Sequence, residues 1–147
     1  MEGSTATLLA ITPPRPASRR RLRILVADDN RDTVATLATL LQAEGHEVRG
    51  VHRSADVLGA EREFRPDVVI LDLQLAAGSG TEVIRAVRAD PALAPTCLLV
   101  TSNHVSAPMK AGCLDLGADE FYDKVKEIDA LARRIGAIAD ARLEALG

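Results

Sequence analysis

The chain has 147 residues, enough for one domain with its own hydrophobic core, since typical domains contain roughly 100–150 residues. Its 18 Lys and Arg against 21 Asp and Glu give a net charge of −3, which argues against nucleic-acid binding by the surface as a whole. Two cysteines are too few for a disulfide scaffold, and no apolar stretch is long enough to cross a membrane. We therefore expect a cytoplasmic domain without membrane insertion or direct nucleic-acid contact.

Residues 1–21 differ in composition from the rest of the chain. They contain three prolines and four arginines, without a sustained apolar period. Their net charge is +3, so residues 22–147 carry −6. Such a composition is typical of segments that bury too little apolar surface to fold. We predict a disordered basic extension at 1–21 and an acidic domain at 22–147. The alternative for the extension is an arm that contacts an anionic surface.

From residue 23 onward, short apolar runs alternate with amphipathic segments, the pattern of repeated βα units. In chain order, the pattern predicts strand 24–27, helix 31–44, strand 47–51, helix 54–64, strand 68–72, a loop at 78–80, helix 81–89, strand 97–100, helix 107–116, strand 120–122 and a helix from 126 onward.

The predicted helices have recognisable start and stop signals. Asn30 and Ser54 are residues of the type that caps helix N-termini. Gly45 and Gly117 can end the first and fourth helices. Pro66 ends the second, because the residue before a proline avoids helical angles.

The strongest apolar runs are the first, third and fourth strands, whereas the second is polar and the fifth is short. Apolar runs of this kind are typical of parallel strands buried on both faces by helices. The pattern therefore predicts an α/β fold with a doubly wound, five-stranded parallel sheet, strand order 2-1-3-4-5, and five helices. The second and fifth strands would form the edges.

Polar residues follow the strands at the edge of the sheet where such folds bind ligands. Asp28 and Asp29 follow the first strand, Asp72 ends the third, Thr101 follows the fourth, and Lys124 comes after the fifth. A single aspartate at a strand end would be interpreted as a helix cap or a solvated loop residue. The coincidence at several strand ends indicates a common site.

Three neighbouring carboxylates repel one another unless a cation lies between them, and Mg²⁺ prefers such oxygen ligands. Carboxylate, metal, hydroxyl and ammonium together are the components of a phosphoryl-transfer site. The three histidines, by contrast, show no metal-ligand spacing, and we expect them on the surface or in loops: His46, His52 and His104.

At these residues the sequence resembles the receiver domain of two-component response regulators, which has a flavodoxin-like fold. The resemblance runs from about Leu22 to the C-terminus. It rests on residues 24–29, 68–73, 98–102 and 117–124.

The resemblance implies a role for each site residue. Asp72 would accept the phosphoryl group, Asp29 would bind Mg²⁺ directly, and Asp28 would bind it mainly through water. The backbone carbonyl of Gln74 would complete the protein ligands. The remaining three roles fall on Thr101, which would hydrogen-bond the phosphoryl oxygens, Lys124, which would pair with them, and Phe121, which matches the aromatic switch position.

Two positions depart from the family pattern. Val125 stands where members usually have a proline after the lysine, and Ala76 stands where another proline follows the phosphoacceptor. A Lys124–Val125 bond should be trans, because a non-proline cis bond costs ~2.5–4 kcal/mol. We therefore expect the loop that carries Lys124 to follow its own path.

The resemblance implies a switch that takes its phosphoryl group from a histidine kinase or phosphotransfer protein. Because only 23 residues follow Lys124, enough for the last helix alone, we expect a stand-alone receiver. It would not be an enzyme beyond catalysing its own phosphoryl uptake and loss. A degenerate receiver that binds proteins without phosphorylation is the alternative. A phosphatase of the haloacid-dehalogenase type would need a second aspartate where Gln74 stands, so the sequence opposes it.

Such a switch would act on an unknown output protein, or form a phosphorylation-dependent homodimer, through its own surface. The resemblance places this surface on residues 109–116, Phe121 and residues 126–134.

Overall fold

The computed structural model describes residues 21–75 and 78–146. The predicted basic extension at 1–21 therefore lies outside the described residues, except for Arg21. Five strands alternate with five helices in this part of the chain. The strands are β1 (Arg23–Ala27), β2 (Glu47–Val51), β3 (Val68–Asp72), β4 (Cys97–Ser102) and β5 (Glu120–Asp123). The helices are α1 (Arg31–Ala43), α2 (Ser54–Phe64), α3 (Gly80–Ala89), α4 (Ala107–Leu116) and α5 (Ile128–Leu146).

The strands form one parallel sheet in the order β2-β1-β3-β4-β5, which confirms the predicted topology. Strand β2 is largely exposed and lies at one edge, as its polar sequence predicts. The chain reverses its direction of winding between β1 and β3. Open α/β sheets place their ligands outside the carboxyl ends of the strands at such a point.

Both faces of the sheet are covered, and alternate residues of each strand serve different cores. Leu25, Val69 and Leu98 pack in a core that includes side chains of α2, α3 and α4. Ile24 and Val68 point the other way, into a core that includes side chains of α1 and α5. This two-residue alternation explains why the central strands are apolar throughout.

The helix ends differ in detail from the predicted ones. Asn30 caps α1 by accepting hydrogen bonds from the N–H groups of Asp32 and Thr33. Ser54, in contrast, is not the N-cap of α2: Arg53 holds that position in extended conformation, and the helix begins at Ser54 itself. Arg65 ends α2 with a left-handed conformation at φ 54°, one residue before Pro66.

Tertiary packing decides the position of two other residues. Gly80 belongs to α3 rather than, as predicted, to the preceding loop, and it is buried. His46 lies in the loop between α1 and β2, but it is buried. The turn at Gly45 (φ 95°) places His46 Nδ1 3.1 Å from the backbone nitrogen of Leu22, whose N–H it accepts as a hydrogen bond. Within the described residues, no helix is both long and apolar enough to cross a membrane.

Candidate functional site

The ends of β1 and β3 bring two buried aspartates to one lysine. Asp28 and Asp72 are each 2% exposed, and the ammonium Nζ of Lys124 donates to both. The distances are 2.8 Å to Asp28 Oδ2 and 3.1 Å to Asp72 Oδ2. Because Lys124 is itself almost buried, the three side chains form a compact charged cluster with little access to water.

The remaining oxygens of the two buried aspartates are held by backbone groups. Asp28 Oδ1 accepts the N–H of Asn30 at 2.9 Å, and Asp72 Oδ1 accepts the N–H of Gln74 at 3.1 Å. His52 Nδ1 lies 3.0 Å from the backbone oxygen of Asp28 and must be the donor, since a carbonyl only accepts. The N–H groups of Asn30 and Gln74 thus orient the two carboxylates, and His52 holds the backbone of Asp28.

Asp29 is exposed and completes an acidic pocket with Asp28 and Asp72. One carboxylate oxygen from each of the three residues lies within 4.8 Å of the others. Hard divalent cations such as Mg²⁺ bind carboxylate oxygens and retain several waters, which an exposed carboxylate such as Asp29 allows. The donor set therefore fits the predicted metal, and these are the residues that could hold it.

Burial and mutual repulsion act on the protonation of this pocket. Burial is the largest cause that raises the pKa of the Asp72 carboxyl to about 6, and the charge of Asp28 acts in the same direction. The hydrogen bonds from Gln74 and Lys124 act in the opposite direction. Burial also opposes the charge of Lys124, but its hydrogen bonds to Asp28 and Asp72 outweigh burial and raise the pKa of the ammonium. A divalent cation would favour the ionised carboxylates.

Thr101 lies beside Asp72 on the neighbouring strand, in direct register, and it is buried. Neighbouring strands are only ~4.8 Å apart, so Thr101 is held close to Asp72. Its backbone oxygen accepts the N–H of Leu73, which joins the two strand ends. Phe121 is buried on β5 in the core that includes Val100 and Cys113. Its predicted role as a switch remains a prediction.

Gly80 lets the start of α3 approach the Asp72 backbone closely. Its N–H donates to the Leu73 oxygen at 2.9 Å. A Cβ atom at this position would lie 2.8 Å from the Asp72 oxygen and 2.7 Å from the Leu73 Cα. Only glycine fits here, because both of these neighbours are backbone atoms. Ala76, the second departure from the family pattern, lies outside the described residues.

The loop that carries Lys124 is built by a residue that the sequence analysis missed. Asp123 Oδ1 accepts the N–H groups of both Val125 and Lys126, at 2.9 and 2.8 Å. Glu127 Oε1 in turn accepts the N–H of Asp123, and the Lys124 N–H donates to the Ser102 oxygen. No described peptide bond is cis, so the Lys124–Val125 bond is trans, as expected.

Val125 therefore contributes a backbone donor that a proline would lack. The signal was present in the sequence, because an aspartate often accepts the N–H of the residue two positions later. The same turn explains why α5 begins at Ile128 rather than at Lys126.

An acidic pocket at the ends of β1 and β3, a hydroxyl after β4 and a lysine after β5, on a sheet of this order, are the features of a receiver domain. The family described as the response regulator receiver domain matches residues 24–136 of the chain. The protein belongs to this family, which serves two-component signal transduction.

Known proteins with a similar sequence or structure support this family assignment. The transcriptional regulatory protein PrrA of Mycobacterium leprae is 34% identical over 131 residues, covering 84% of this chain and 55% of PrrA. The chain thus spans about half the length of this curated relative. The Francisella response regulator 1452 receiver domain has a TM-score of 0.75 and 22% identity, covering 83% of this chain and 98% of that one. The Mn²⁺-bound form of response regulator Rcp1 has a TM-score of 0.68 and 18% identity, covering 84% and 95%.

Proposed function

We propose that the protein is a phosphorylation-dependent signalling switch that accepts a phosphoryl group on Asp72 from a histidine kinase or a phosphotransfer protein. The observation that carries this proposal is the cluster of Asp28, Asp72 and Lys124. Asp72 is the member that ends a central strand and contacts the lysine while lying next to Thr101.

The chemistry requires one covalent exchange. A carboxylate oxygen of Asp72 attacks the phosphorus of a phosphohistidine, the new O–P bond forms as the N–P bond breaks, and the imidazole leaves. Lys124 then moves from the carboxylates to a phosphoryl oxygen, and the Thr101 hydroxyl donates to another. Catalysis of this kind is mostly positioning and charge neutralisation.

Asp28, Asp29 and Asp72, together with the backbone carbonyl of Gln74, would hold Mg²⁺. When bound, the ion would neutralise charge on the transferring group and orient it. The Rcp1 structure is that of an Mn²⁺-bound form, which supports a divalent ion in this family. Beyond its own phosphoryl uptake and loss, the domain would catalyse no reaction.

The output would be a contact with another protein, or with a second copy of the chain, on the surface formed by α4, β5 and the start of α5. PrrA is a transcriptional regulator, so receivers of this kind can control transcription. The particular kinase and output partner of this chain are open to experiment.

The alternative is a degenerate receiver that binds proteins without phosphorylation. Val125 in place of proline is the observation that favours it. The hydrogen bonds of Asp123, however, support Lys124 without that proline.

Incubation with acetyl phosphate and Mg²⁺, followed by intact mass measurement, tests the proposal. We expect wild type and the control Asp115→Asn, a change of an exposed aspartate on α4, to gain one phosphoryl group. Asp72→Asn should gain none, and excess chelator should abolish labelling of wild type. Labelling of Asp72→Asn would refute the assignment, and a wild type that is never labelled would favour the degenerate receiver.

A further inference from the structure

Asp28 lies just beyond the sheet, where the pairing of β1 with both of its neighbours has ended. The last paired residues are Ala27 with Val51 on β2, and Ala27 with Leu71 on β3. The Asp28 N–H still donates to the Val51 oxygen at 3.0 Å. Its backbone oxygen accepts instead from a side chain, the imidazole of His52, at 3.0 Å. His52 thus attaches the end of β1 to the β2 side one residue beyond the sheet.

The polar groups of Asp28 are held in two different ways. Its carboxylate oxygens accept from the Asn30 N–H and the Lys124 ammonium, at 2.9 and 2.8 Å. A divalent cation would compete with these contacts, because it would bind the same oxygens. The backbone contacts to Val51 and His52 use neither carboxylate oxygen. His52 is therefore placed to hold Asp28 both with and without an ion in the pocket.

The same connection also contacts the other side of the acidic pocket. Ser54, two residues after His52, packs against Gly78 in the segment between Asp72 and α3. A Cβ atom at Gly78 would lie 2.8 Å from the Cβ of Ser54, so there is no room for a side chain at this position. Residues 52–54 thus link the backbone of Asp28 to the segment that follows Asp72.

We propose that His52 is a positioning residue for the metal site. By donating from Nδ1 to the backbone of Asp28, it sets the position from which the Asp28 carboxylate meets a divalent cation. The inference rests on the proposed function, because it assigns a role at the same pocket. Groups that orient metal ligands commonly change metal affinity by roughly 10–100-fold when they are lost. His52 acts on the backbone of a ligand rather than on its carboxylate, so we expect the lower end of this range.

The hydrogen bond also determines the tautomer of the His52 ring. A neutral imidazole carries one ring proton, and only the form with that proton on Nδ1 can donate to the Asp28 oxygen. Nε2 is then the unprotonated nitrogen of the neutral ring. Nitrogen-15 NMR spectra distinguish the two ring nitrogens, and we expect the Nδ1–H form of neutral His52 in the metal-free protein.

Titration of the full, unphosphorylated chain with Mg²⁺, followed by amide NMR spectra, tests the role in metal binding. We expect His52→Ala to weaken Mg²⁺ binding about 10-fold. His52→Asn should restore most of the affinity, because its amide nitrogen also lies at the δ position and donates. Arg53→Gln is the control on the same connection, since this side chain is exposed and makes no capping hydrogen bond. Its loss of positive charge should not weaken the binding of a cation.

Phosphoryl uptake from acetyl phosphate gives a second readout. His52→Ala should need about ten times more Mg²⁺ than wild type for half of its maximal rate. The rate at saturating Mg²⁺ should remain close to that of wild type. General damage to the fold would lower the saturating rate instead, and the amide spectra report whether each variant is folded.

Equal Mg²⁺ affinity of His52→Ala and wild type would overturn the inference. An Nε2–H tautomer of His52 would do the same, as would an affinity of His52→Asn as low as that of His52→Ala. These results would leave the proposed function intact, provided that wild type takes up the phosphoryl group. A wild type that binds Mg²⁺ in a His52-dependent way but is never phosphorylated would contradict the proposed function alone. A wild type that binds no Mg²⁺ would contradict both.

Discussion

At the residue scale, the Asp123 carboxylate holds the loop that carries Lys124, where the family pattern has a proline after the lysine. Its carboxylate accepts two successive N–H groups beyond Lys124, and these hydrogen bonds hold its pKa below the usual value. A side chain that accepts backbone N–H groups in this way stabilises one backbone conformation of the loop over the alternatives.

Asp123→Ala should therefore loosen the loop. We expect faster hydrogen exchange at the amides of Val125 and Lys126, and phosphoryl uptake from acetyl phosphate slowed by about tenfold, because a misplaced charge weakens transition-state stabilisation. Asp123→Asn keeps an acceptor oxygen and should remain close to wild type. Equal exchange rates in Asp123→Ala and wild type would show that the turn does not depend on this side chain.

Glu61, a buried residue of α2 that is only 1% exposed, gives a second residue-scale prediction, on stability. Its folded-state pKa of about 7 lies above the ordinary 4.5, so the folded protein binds the proton more tightly than the unfolded chain. The resulting contribution to the free energy of unfolding is complete below about pH 4.5 and is lost as pH rises through 7. The charged groups that act on Glu61 are Arg88, Arg62 and Asp90.

Glu61→Gln has no carboxyl to ionise, so its stability relative to wild type should increase between pH 5 and pH 8. The change should be on the order of 3 kcal/mol. Urea unfolding at several pH values measures it. Glu63→Gln, at an exposed site, should show a nearly constant difference from wild type. A Glu61→Gln difference that is equally flat would mean that the carboxyl titrates normally.

At the element scale, the start of α3 is hydrogen-bonded to the strand end that carries Asp72. Gly80, its first residue, touches the backbone of Asp72 and Leu73. Gly80→Ala must therefore displace either the helix or the loop. We expect a loss of about 1–3 kcal/mol in stability, as for other overpacked sites, and slower phosphoryl uptake.

Gly112→Ala is the matched control for this change. It lies within α4, and an added Cβ there would meet nothing within 4 Å. The variant should be unchanged or more stable by up to ~1 kcal/mol, since alanine favours helices. Thermal unfolding and acetyl phosphate labelling of both variants provide the measurements. If Gly80→Ala behaved like Gly112→Ala, the close approach would have no structural role.

The sequence predicted those elements whose pattern is repeated along the chain. The uninterrupted apolar runs of β1, β3 and β4 identified the buried strands. The predicted topology then placed the aspartates at the ends of β1 and β3 in one common site. The burial of Glu61 and His46 could not be predicted, because a single polar residue on a helix or in a turn has no periodic pattern that reveals its environment. Gly80 was missed because a glycine next to Ser79 is typical of loops, and its contact with Asp72 depends on tertiary packing.

At the scale of the whole molecule, the two ends of the sheet carry different chemistry. The carboxyl ends of the strands hold the acidic pocket, while the buried carboxyl of Glu61, in the C-terminal half of α2, lies towards the amino ends. The proposed phosphorylation of Asp72 would change the contacts of Lys124, which directly follows β5. We therefore expect the response to spread to β5, α4 and the start of α5, rather than to α1 and α2.

Hydrogen exchange with and without beryllofluoride, an analogue of the phosphoryl group, tests this expectation. Protection should change in 109–116, at Phe121 and in 126–134. Asp72→Asn with beryllofluoride should show no change, because it cannot bind the analogue in the same way. Changes confined to α1 and α2 would rule out this output surface. To move the domain from a 1:99 to a 99:1 ratio of its two conformations, the phosphoryl group would have to favour one of them by about 5.5 kcal/mol.

Helix α4 buries only one of its side chains, Cys113, while Met109 and Leu114 are exposed. Exposed substitutions away from special contacts usually change stability by less than ~0.5 kcal/mol. The surface of α4 can therefore accumulate mutations while the fold and the acidic pocket are conserved. In evolution, a new binding partner could be acquired on this helix without any change to the acidic pocket.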